Sequence, residues 1–287
     1  MGTCDKLGVP LAHHKTVHPT IRLTFRGLEL QTAPTMLVKV PKDKLETTLS
    51  VIRSLLPRKK VLVREIESLA GKLAFLCRAV WPGRTFVRRL YDLVAGTPNR
   101  NHHVRLTLEV KKDLQMWAQF LHNYNGVSML QRPIDERDCD CQMWSDASGD
   151  IGWGAVFKQS WIQGRWPESY KGPHVSMALK EIIPVALAIV TFSHRMKGQR
   201  VLLWCDNISV VGILAKRTSP CPQIMHYIRL IVLTCMEWEI SFSVKFLRSA
   251  QNEICDSLSR YQMFRFRQVA ADMEQFPTPV AGHLMPS

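Results

Sequence analysis

The stretch SDASGDIGWGAVF, residues 145–157, decides how the back half of this chain folds. A strand is predicted over Gln142–Asp146, at the start of the stretch. Trp153–Lys158 and Trp161–Trp166 then alternate apolar and polar residues on either side of a Gln159-Ser160 turn, which predicts a β-hairpin. Three strands therefore open this half of the chain.

The residues that follow alternate between helical and strand patterns. The predicted elements are a long apolar helix, a buried strand, two helices, a strand and a last helix, over residues 175–194, 201–205, 208–217, 222–237, 240–247 and 252–261. The order β-β-β-α-β-α-α-β-α predicts an α/β fold built on a mixed sheet of five strands with flanking helices.

The front half is predicted to be mainly helical. Two short strands, at residues 23–25 and 36–38, precede an amphipathic helix over Lys42–Leu56. Three more helices are predicted over about residues 66–80, 85–94 and 107–122. The polar, proline-bearing segment 131–138 predicts a domain boundary. The tail from Phe264 has no strong periodicity and contains three prolines, so it is expected to be loose.

Composition limits the classes of protein that fit. Of the 287 residues 46% are hydrophobic and 22% are charged, as in a globular protein. No apolar run approaches the roughly 20 residues that span a bilayer, and the start lacks the apolar segment of a secretory signal, so an intracellular protein without a membrane partner is expected. The eight scattered cysteines indicate free thiols, and Cys139-Asp140-Cys141 has no second pair at zinc-site spacing.

The positive charge is concentrated in the front half of the chain. The formal net charge is +14, and residues 1–138 hold 23 Lys and Arg against 12 Asp and Glu. Such an excess favours attachment to a polyanion such as nucleic acid. A basic surface without a partner explains the charge equally well, so charge alone leaves both interpretations open.

Four carboxylates stand at the functional ends of the back-half elements. Asp146 and Asp206 each end a predicted strand, Glu181 lies on the apolar helix, and Asp256 lies on the last helix. Each aspartate alone also fits a helix cap or a solvated position, but Glu181 would be desolvated without a cation. If the first and fourth strands are neighbours, the four acids converge and repel one another unless divalent cations bind. Oxygen ligands suit Mg²⁺ or Mn²⁺, and two such ions support phosphodiester hydrolysis.

The ordered set of motifs resembles the ribonuclease H domain of retroelement polyproteins, with the greatest similarity to DIRS-like (tyrosine-recombinase) retrotransposons. The motifs are SDASGDIGWGAVF, SMALKEIIPVALAI, LWCDNISVV and QNEICDSLSR. In the front half, LGVPLAHHKT with LTFRGLEL resembles the end of a reverse-transcriptase palm and its primer grip. LPRKKVLVREIESLAGKLAFLCRAVWPGRTFVRRL resembles the thumb and connection.

The resemblance implies a domain order and a function. Residues 1–40 would be a palm remnant, 41–137 a helical thumb/connection-like region, 138–262 an RNase H-like domain and 263–287 a tail. The implied activity is cleavage of the RNA strand of RNA–DNA hybrids with two Mg²⁺ or Mn²⁺ ions and no small-molecule cofactor. A polymerase chain of the same element is a further implied partner.

The resemblance also implies roles for individual residues. Asp146, Glu181, Asp206 and Asp256 correspond to the metal-binding acids. Three residues are expected near the substrate backbone: Ser148, Gly149 and Asn207. Three arginines of the connection-like segment are candidates to hold phosphates, although a solvated basic face explains them equally well: Arg84, Arg88 and Arg89.

Two departures from the family pattern bear on activity. No adjacent Asp-Asp pair occurs, so we predict no DNA polymerisation. Phe246 stands where the family often has a histidine, before Asn252. Two alternatives to the enzyme therefore remain open. One is a nucleic-acid-binding remnant without turnover, and the other is a structural partner of a reverse transcriptase supplied by another chain.

Overall fold

The structure is a computed structural model that describes residues 6–10, 12, 16–34, 36–123 and 134–284, without the side chain of His283. Parts of the palm-like motif LGVPLAHHKT, and residues 131–133 of the predicted boundary, lie outside the described residues. The described chain forms a helical front region and a back region built on a five-stranded sheet.

The front region combines two small sheets with four helices. In chain order its elements are β1 (Arg22–Phe25), β2 (Leu28–Gln31), β3 (Leu37–Lys39), α1 (Lys42–Leu55), β4 (Lys60–Leu62), α2 (Val63–Leu76), α3 (Arg88–Val94), β5 (His103–Arg105) and α4 (Leu108–Asn123). A 3-10 segment, Trp81–Phe86, joins α2 to α3. The apolar spacing explains α1 and α2, because Leu49 and Ile52 of α1 and Ile66 and Leu73 of α2 are buried. The prediction that the front half is mainly helical is confirmed.

The back region contains the predicted mixed sheet. Its elements are β6 (Cys141–Ala147), β7 (Gly152–Phe157), β8 (Ser160–Arg165), α5 (Met177–Phe192), β9 (Arg200–Cys205), α6 (Ile208–Lys216), α7 (Pro222–Glu237), β10 (Ser241–Phe246), α8 (Glu253–Ser259) and α9 (Met263–Val269). The strand order is β10-β9-β6-β7-β8, in which β10, β9 and β6 run parallel and β7 and β8 pair antiparallel. The predicted α/β fold class, a mixed five-stranded sheet with flanking helices, is confirmed.

The hairpin turn lies one residue earlier than the sequence predicted. Phe157 pairs with Ser160, so Lys158 and Gln159 form the two-residue turn. Lys158 adopts a φ of 54°, in the left-handed region. Two-residue hairpin turns favour positive φ because it matches the twist of the strands, and a lysine in that position gives no sequence signal for it.

Helix α5 is the central helix of the back region. It packs on β6 and β7 on one side and on α7 on another. By length and composition, Met177–Arg195 is apolar enough to cross a membrane, but 72% of it is buried within the fold. Its apolar character is accounted for by core packing.

The front and back regions share one hydrophobic core. Trp81 meets Phe242 edge-on, with ring centroids 5.9 Å apart, and Thr85 Oγ1 donates to the Arg217 carbonyl oxygen at 3.1 Å. The boundary segment is also docked, because the Ile134 backbone N–H donates to Ser243 Oγ at 2.9 Å. The domain boundary at residue 138 stays a prediction, and within the described residues the packing continues across it.

The tail is not loose over residues 263–284, contrary to the prediction. Helix α9 buries Phe266 completely against Trp161, with centroids 5.0 Å apart. Glu274 accepts hydrogen bonds from Ser160 Oγ at 2.6 Å and, through its carbonyl oxygen, from Trp161 Nε1 at 2.8 Å. A helix of seven residues spans only about two turns, which is too short for its periodicity to be recognised in the sequence. Its stability comes from this long-range packing.

Candidate active site

Asp146 and Asp206 lie side by side at one edge of the sheet. Strands β6 and β9 are parallel neighbours, with Trp144 paired to Trp204, and each aspartate lies two residues beyond that pair. Asp146 is buried, with 6% of its surface exposed, and Asp206 is half-buried. The predicted adjacency of these two strands is confirmed, and it follows from the parallel pairing that aligns the carboxyl ends of both strands.

Glu181 projects from α5 toward the same edge. Helix α5 begins after Ser176, whose side chain accepts the Leu179 backbone N–H at 3.3 Å. Glu181 is 4% exposed, and its Oε2 has no hydrogen-bond partner among the described residues. Burial, and then the charges of Asp146 and Asp206, raise the pKa of Glu181 to about 9, against a hydrogen bond from the Ala147 backbone.

Asp146 is positioned by the last helix of the site. Ser259 Oγ donates a short hydrogen bond to Asp146 Oδ2, and this bond lowers the pKa of that carboxyl group. Burial acts more strongly in the opposite direction, and Asp206 and Asp256 add to it, so the pKa of Asp146 rises to about 6. Burial, and then the charges of these two acids, therefore disfavour the charged form of Asp146.

Asp256 lies in α8 and is held by arginines. Its two carboxylate oxygens accept from Arg260 Nε at 2.6 Å and from Arg265 Nη1 at 3.3 Å. Helix α8 is fixed to the sheet where Asn252 Nδ2 donates to the Ser145 carbonyl oxygen at 2.9 Å. Asp256 thus contributes to the field at Asp146, while its own charge is largely balanced by Arg260 and Arg265.

The donor set fits a hard divalent cation. Within the described part of the chain, ligand atoms of Glu181, Cys205 and Asp206 all lie within 4.8 Å of one another, and Asp146 and Asp256 are not in this group. Burial raises the pKa of the Cys205 thiol far above its usual range, so the carboxyl groups, rather than the thiol, are the donors that a hard cation would bind in their ionised form. Buried carboxyl groups that lie close together are neutralised either by a proton or by a bound cation, and their oxygen atoms suit a hard divalent cation.

Cys205 was not predicted from the sequence as a residue of the site. The thiol is fully buried at the end of β9, directly before Asp206. Its position in a buried-strand run was the available signal, but that run reads equally well as ordinary core. The structure adds it as a neighbour of the acidic group.

The three residues expected near the substrate backbone have structural partners. Ser148 Oγ lies 3.0 Å from both the Gly152 and the Ser259 carbonyl oxygens, between which its one hydroxyl hydrogen is shared, and this closes the loop after β6. The Gly149 carbonyl oxygen accepts from the buried Lys180 ammonium group. Asn207 caps α6 by accepting the Ser209 and Val210 backbone N–H groups at 3.0 and 3.3 Å. All three lie beside the acidic edge, and their contact with substrate stays a prediction.

The three arginines of the connection-like segment lie away from the acidic edge and differ in their partners. Arg89 is bound to Asp113 at 3.0 Å and to Glu109 at 3.2 Å, and Arg88 pairs with Asp92 at 2.8 Å. Arg84 is exposed and has no acidic partner among the described side chains. Of the three, Arg84 is therefore the one with its charge fully available.

Phe246 ends β10 beside the acidic edge. It is paired in register with Cys205 and is 47% exposed. A benzyl side chain neither accepts nor donates a proton. The position is therefore next to Cys205, which directly precedes Asp206, and it holds a group without acid–base chemistry.

No protein-family model matches the chain, and no curated protein does. Among solved structures, the chain is similar to a foamy viral protease-reverse transcriptase in complex with RNA/DNA hybrid, at 13% identity and a TM-score of 0.34, over 81% of this chain and 30% of that one. It is also similar to the N-terminal RNase H domain of a Mycobacterium tuberculosis protein, at 14% identity and a TM-score of 0.33, over 46% of this chain and 99% of that one. The match thus covers less than a third of that viral chain. With such low TM-scores, the fold class rests on the strand order and register of the chain itself.

Proposed function

We propose that this chain is a ribonuclease H of retroelement origin, which hydrolyses the RNA strand of RNA–DNA hybrids. The observation that carries the proposal is the group of buried, mutually repelling carboxylates at the carboxyl edge of two parallel strands. Asp146 and Glu181 are 6% and 4% exposed, and Glu181 Oε2 is unpartnered. A protein maintains such a costly arrangement where a cation compensates it. The motif order that resembles DIRS-like elements supports the origin.

The acids would hold two Mg²⁺ or Mn²⁺ ions, which supply an activated water and stabilise the leaving oxygen when bound. The chain's own residues fix the oxygen donors. Ser259 orients Asp146. Ser249 Oγ donates to Asp206 Oδ2 at 2.8 Å, so Oδ1 of Asp206 takes no part in that bond. The burial of Glu181 excludes water from one side of the group and strengthens every electrostatic interaction there.

Substrate positioning is assigned to the basic surface of the front region. The hybrid backbone is a polyanion, and cationic side chains fix its register without reading its sequence. The loop of Ser148 and Gly149 and the start of α6 at Asn207 border the acidic edge, so a strand that reaches the acids passes them.

A nucleic-acid-binding remnant is the second candidate, and two observations favour it. Phe246 supplies no proton-transfer group beside the site. Asp256 is already engaged by Arg260 and Arg265, which weakens its availability as a ligand. In this case the fold binds hybrid without turnover, alone or beside a polymerase chain.

A panel of isosteric variants separates the candidates. Asp146→Asn, Glu181→Gln and Asp206→Asn should each lower hydrolysis of a labelled RNA–DNA hybrid at least 100-fold, with hybrid binding kept within a few-fold. Asp272→Asn is the matched control, since Asp272 is exposed in the tail, and its activity should equal that of the wild type. If the wild type binds hybrid but its rate matches that of the acid variants, the binding remnant is correct.

A further inference from the structure

A basic cavity lies where the front and back regions meet. Its volume is about 520 Å³, and its wall is formed by α2, the 3-10 segment Trp81–Phe86 and α3 on one side and by the end of α6 on the other. Five cationic side chains line it: Arg78, Arg84, Arg88, Lys216 and Arg217. The cavity is therefore assembled only when the two regions are packed together.

The positive charge of this cavity is not compensated by its lining. None of the lining residues is acidic, and the one ion pair made by a lining cation is that of Arg88 with Asp92 at 2.8 Å, within the described chain. The Nε atoms of Arg88 and Arg217 are buried and have no hydrogen-bond partner among the described groups. Several guanidinium groups thus face one space with donors to spare, which is the composition of an anion site.

Arg217 is held rigidly at the back of the cavity. Its guanidinium lies 3.7 Å from the centroid of the Trp81 ring, and its carbonyl oxygen accepts from Thr85 Oγ1 at 3.1 Å. Burial, together with the like charge of Arg84, lowers the pKa of Arg217 to about 10, so an anion would relieve an existing repulsion. A stacked, pre-oriented arginine loses little conformational entropy when it binds a phosphate.

The cavity is connected to the acidic edge through α6. This helix begins after Asn207, beside Asp206, and ends at Lys216 in the cavity wall. The helix has nine residues, so with a rise of about 1.5 Å per residue its two ends are about 12 Å apart, which is about three to four phosphates along one strand of a duplex. A strand that lies on the acidic edge therefore has a backbone phosphate within reach of the cavity.

We propose that this cavity binds a backbone phosphate of the polynucleotide whose neighbouring segment occupies the acidic edge. The proposal rests on the proposed function for the identity of the ligand. The cavity sets the register of the strand from a position remote from the acids, and it uses Arg84 and Lys216 as exposed contacts and Arg217 as the fixed one.

Hybrid binding in EDTA tests the proposal without any need for cleavage. Fluorescence anisotropy of a labelled RNA–DNA hybrid, between 50 and 200 mM salt, is compared for the wild type, Arg84→Ala and Lys216→Ala. Both residues are exposed, so the variants should keep the fold. Each should raise Kd about 3–10-fold and reduce the salt slope by about one phosphate contact. The matched control is Lys197→Ala, an exposed lysine outside the cavity, which should change Kd less than 2-fold.

The outcomes separate this inference from the proposed function. If both cavity variants bind hybrid as the control does, or the wild type binds no hybrid, the cavity is not a polynucleotide site. A further outcome is that inorganic phosphate or a mononucleotide raises the Tm of the wild type but not of Arg84→Ala, while both proteins bind hybrid with the same Kd. In that case the site binds small anions and the proposal is overturned. Cavity-dependent binding by a wild type that does not cleave supports the inference and contradicts the nuclease.

Discussion

Replacement of Glu181 by glutamine should stabilise the metal-free protein at neutral pH. The carboxyl group has an ordinary pKa of 4.5, and burial and neighbouring acids raise it to about 9 in the folded state. Between these values the folded state holds a proton that the unfolded state has lost, so stability falls as pH rises. At about 1.4 kcal/mol per pH unit, the penalty at pH 7 is about 3 kcal/mol, and it is below about 1 kcal/mol at pH 5. Glutamine keeps the shape and removes this penalty.

The assay is urea denaturation in EDTA at pH 5, 6, 7 and 8. The free energy of unfolding of Glu181→Gln should exceed that of the wild type by an amount that grows with pH. The control is Glu237→Gln, at an exposed position at the end of α7, which should change stability by less than about 0.5 kcal/mol at every pH. A difference that does not grow with pH, or a variant that is less stable throughout, would refute the reasoning about the buried carboxylate.

Three further predictions concern the metal, the interface and the packing of α8. Millimolar Mg²⁺ should raise the Tm of the wild type by several degrees and leave Asp146→Asn unchanged in a thermal scan; an equal rise in both would contradict a site at the acids. Asp113→Asn should cost about 1.5–3 kcal/mol in urea denaturation, because Asp113 is 2% exposed and accepts hydrogen bonds from two arginines of different regions, while the burial that raises its pKa offsets part of this gain. The surface pair variant Asp92→Asn should cost less than about 1 kcal/mol, and a similar loss in both would refute the argument from burial. A Cβ at Gly154 would overlap α8, so Gly154→Ala should cost about 1–3 kcal/mol. Gly212→Ala meets open space within a helix and should gain about 0.5–1 kcal/mol; a neutral Gly154→Ala would show that α8 is free to shift.

The sequence predicted those parts of the fold that local patterns encode. Helix α7 was predicted over its observed residues 222–237, because Pro222 marks the first turn and the apolar spacing is regular. The adjacency of Asp146 and Asp206 followed from the order of elements and from the parallel pairing that this order imposes. These features depend on short-range periodicity and on few topological choices.

Features made by long-range contacts could not be predicted. Strands β4 and β5 contain three residues each, which is too few for a periodic signal. They pair with each other although they are far apart in the sequence, with Lys60 opposite Arg105. The docking of Phe266 on Trp161 joins the tail to the hairpin. The Arg260–Asp256 pair has i,i+4 spacing, which many other residues on the helices share, so this spacing alone does not single it out.

The sequence indicated which acids form the candidate site, but it did not indicate which of them are paired with arginines. Glu181 is buried, as expected for an acid among apolar neighbours on its helix, and Asp146 is buried as well. The engagement of Asp256 by Arg265, nine residues along the chain, depends on the turn between α8 and α9. This pairing makes Asp256 the least available of the four acids, which the sequence did not indicate.

The most direct test of the central claim is a hybrid whose RNA and DNA strands carry different labels, incubated with Mg²⁺ or Mn²⁺. The account predicts that the wild type cuts the RNA strand alone, that single-stranded RNA and duplex DNA stay intact, and that Asp146→Asn leaves the hybrid whole. Cutting of both strands, cutting that survives Asp146→Asn, or no cutting by a folded protein that binds hybrid would contradict it.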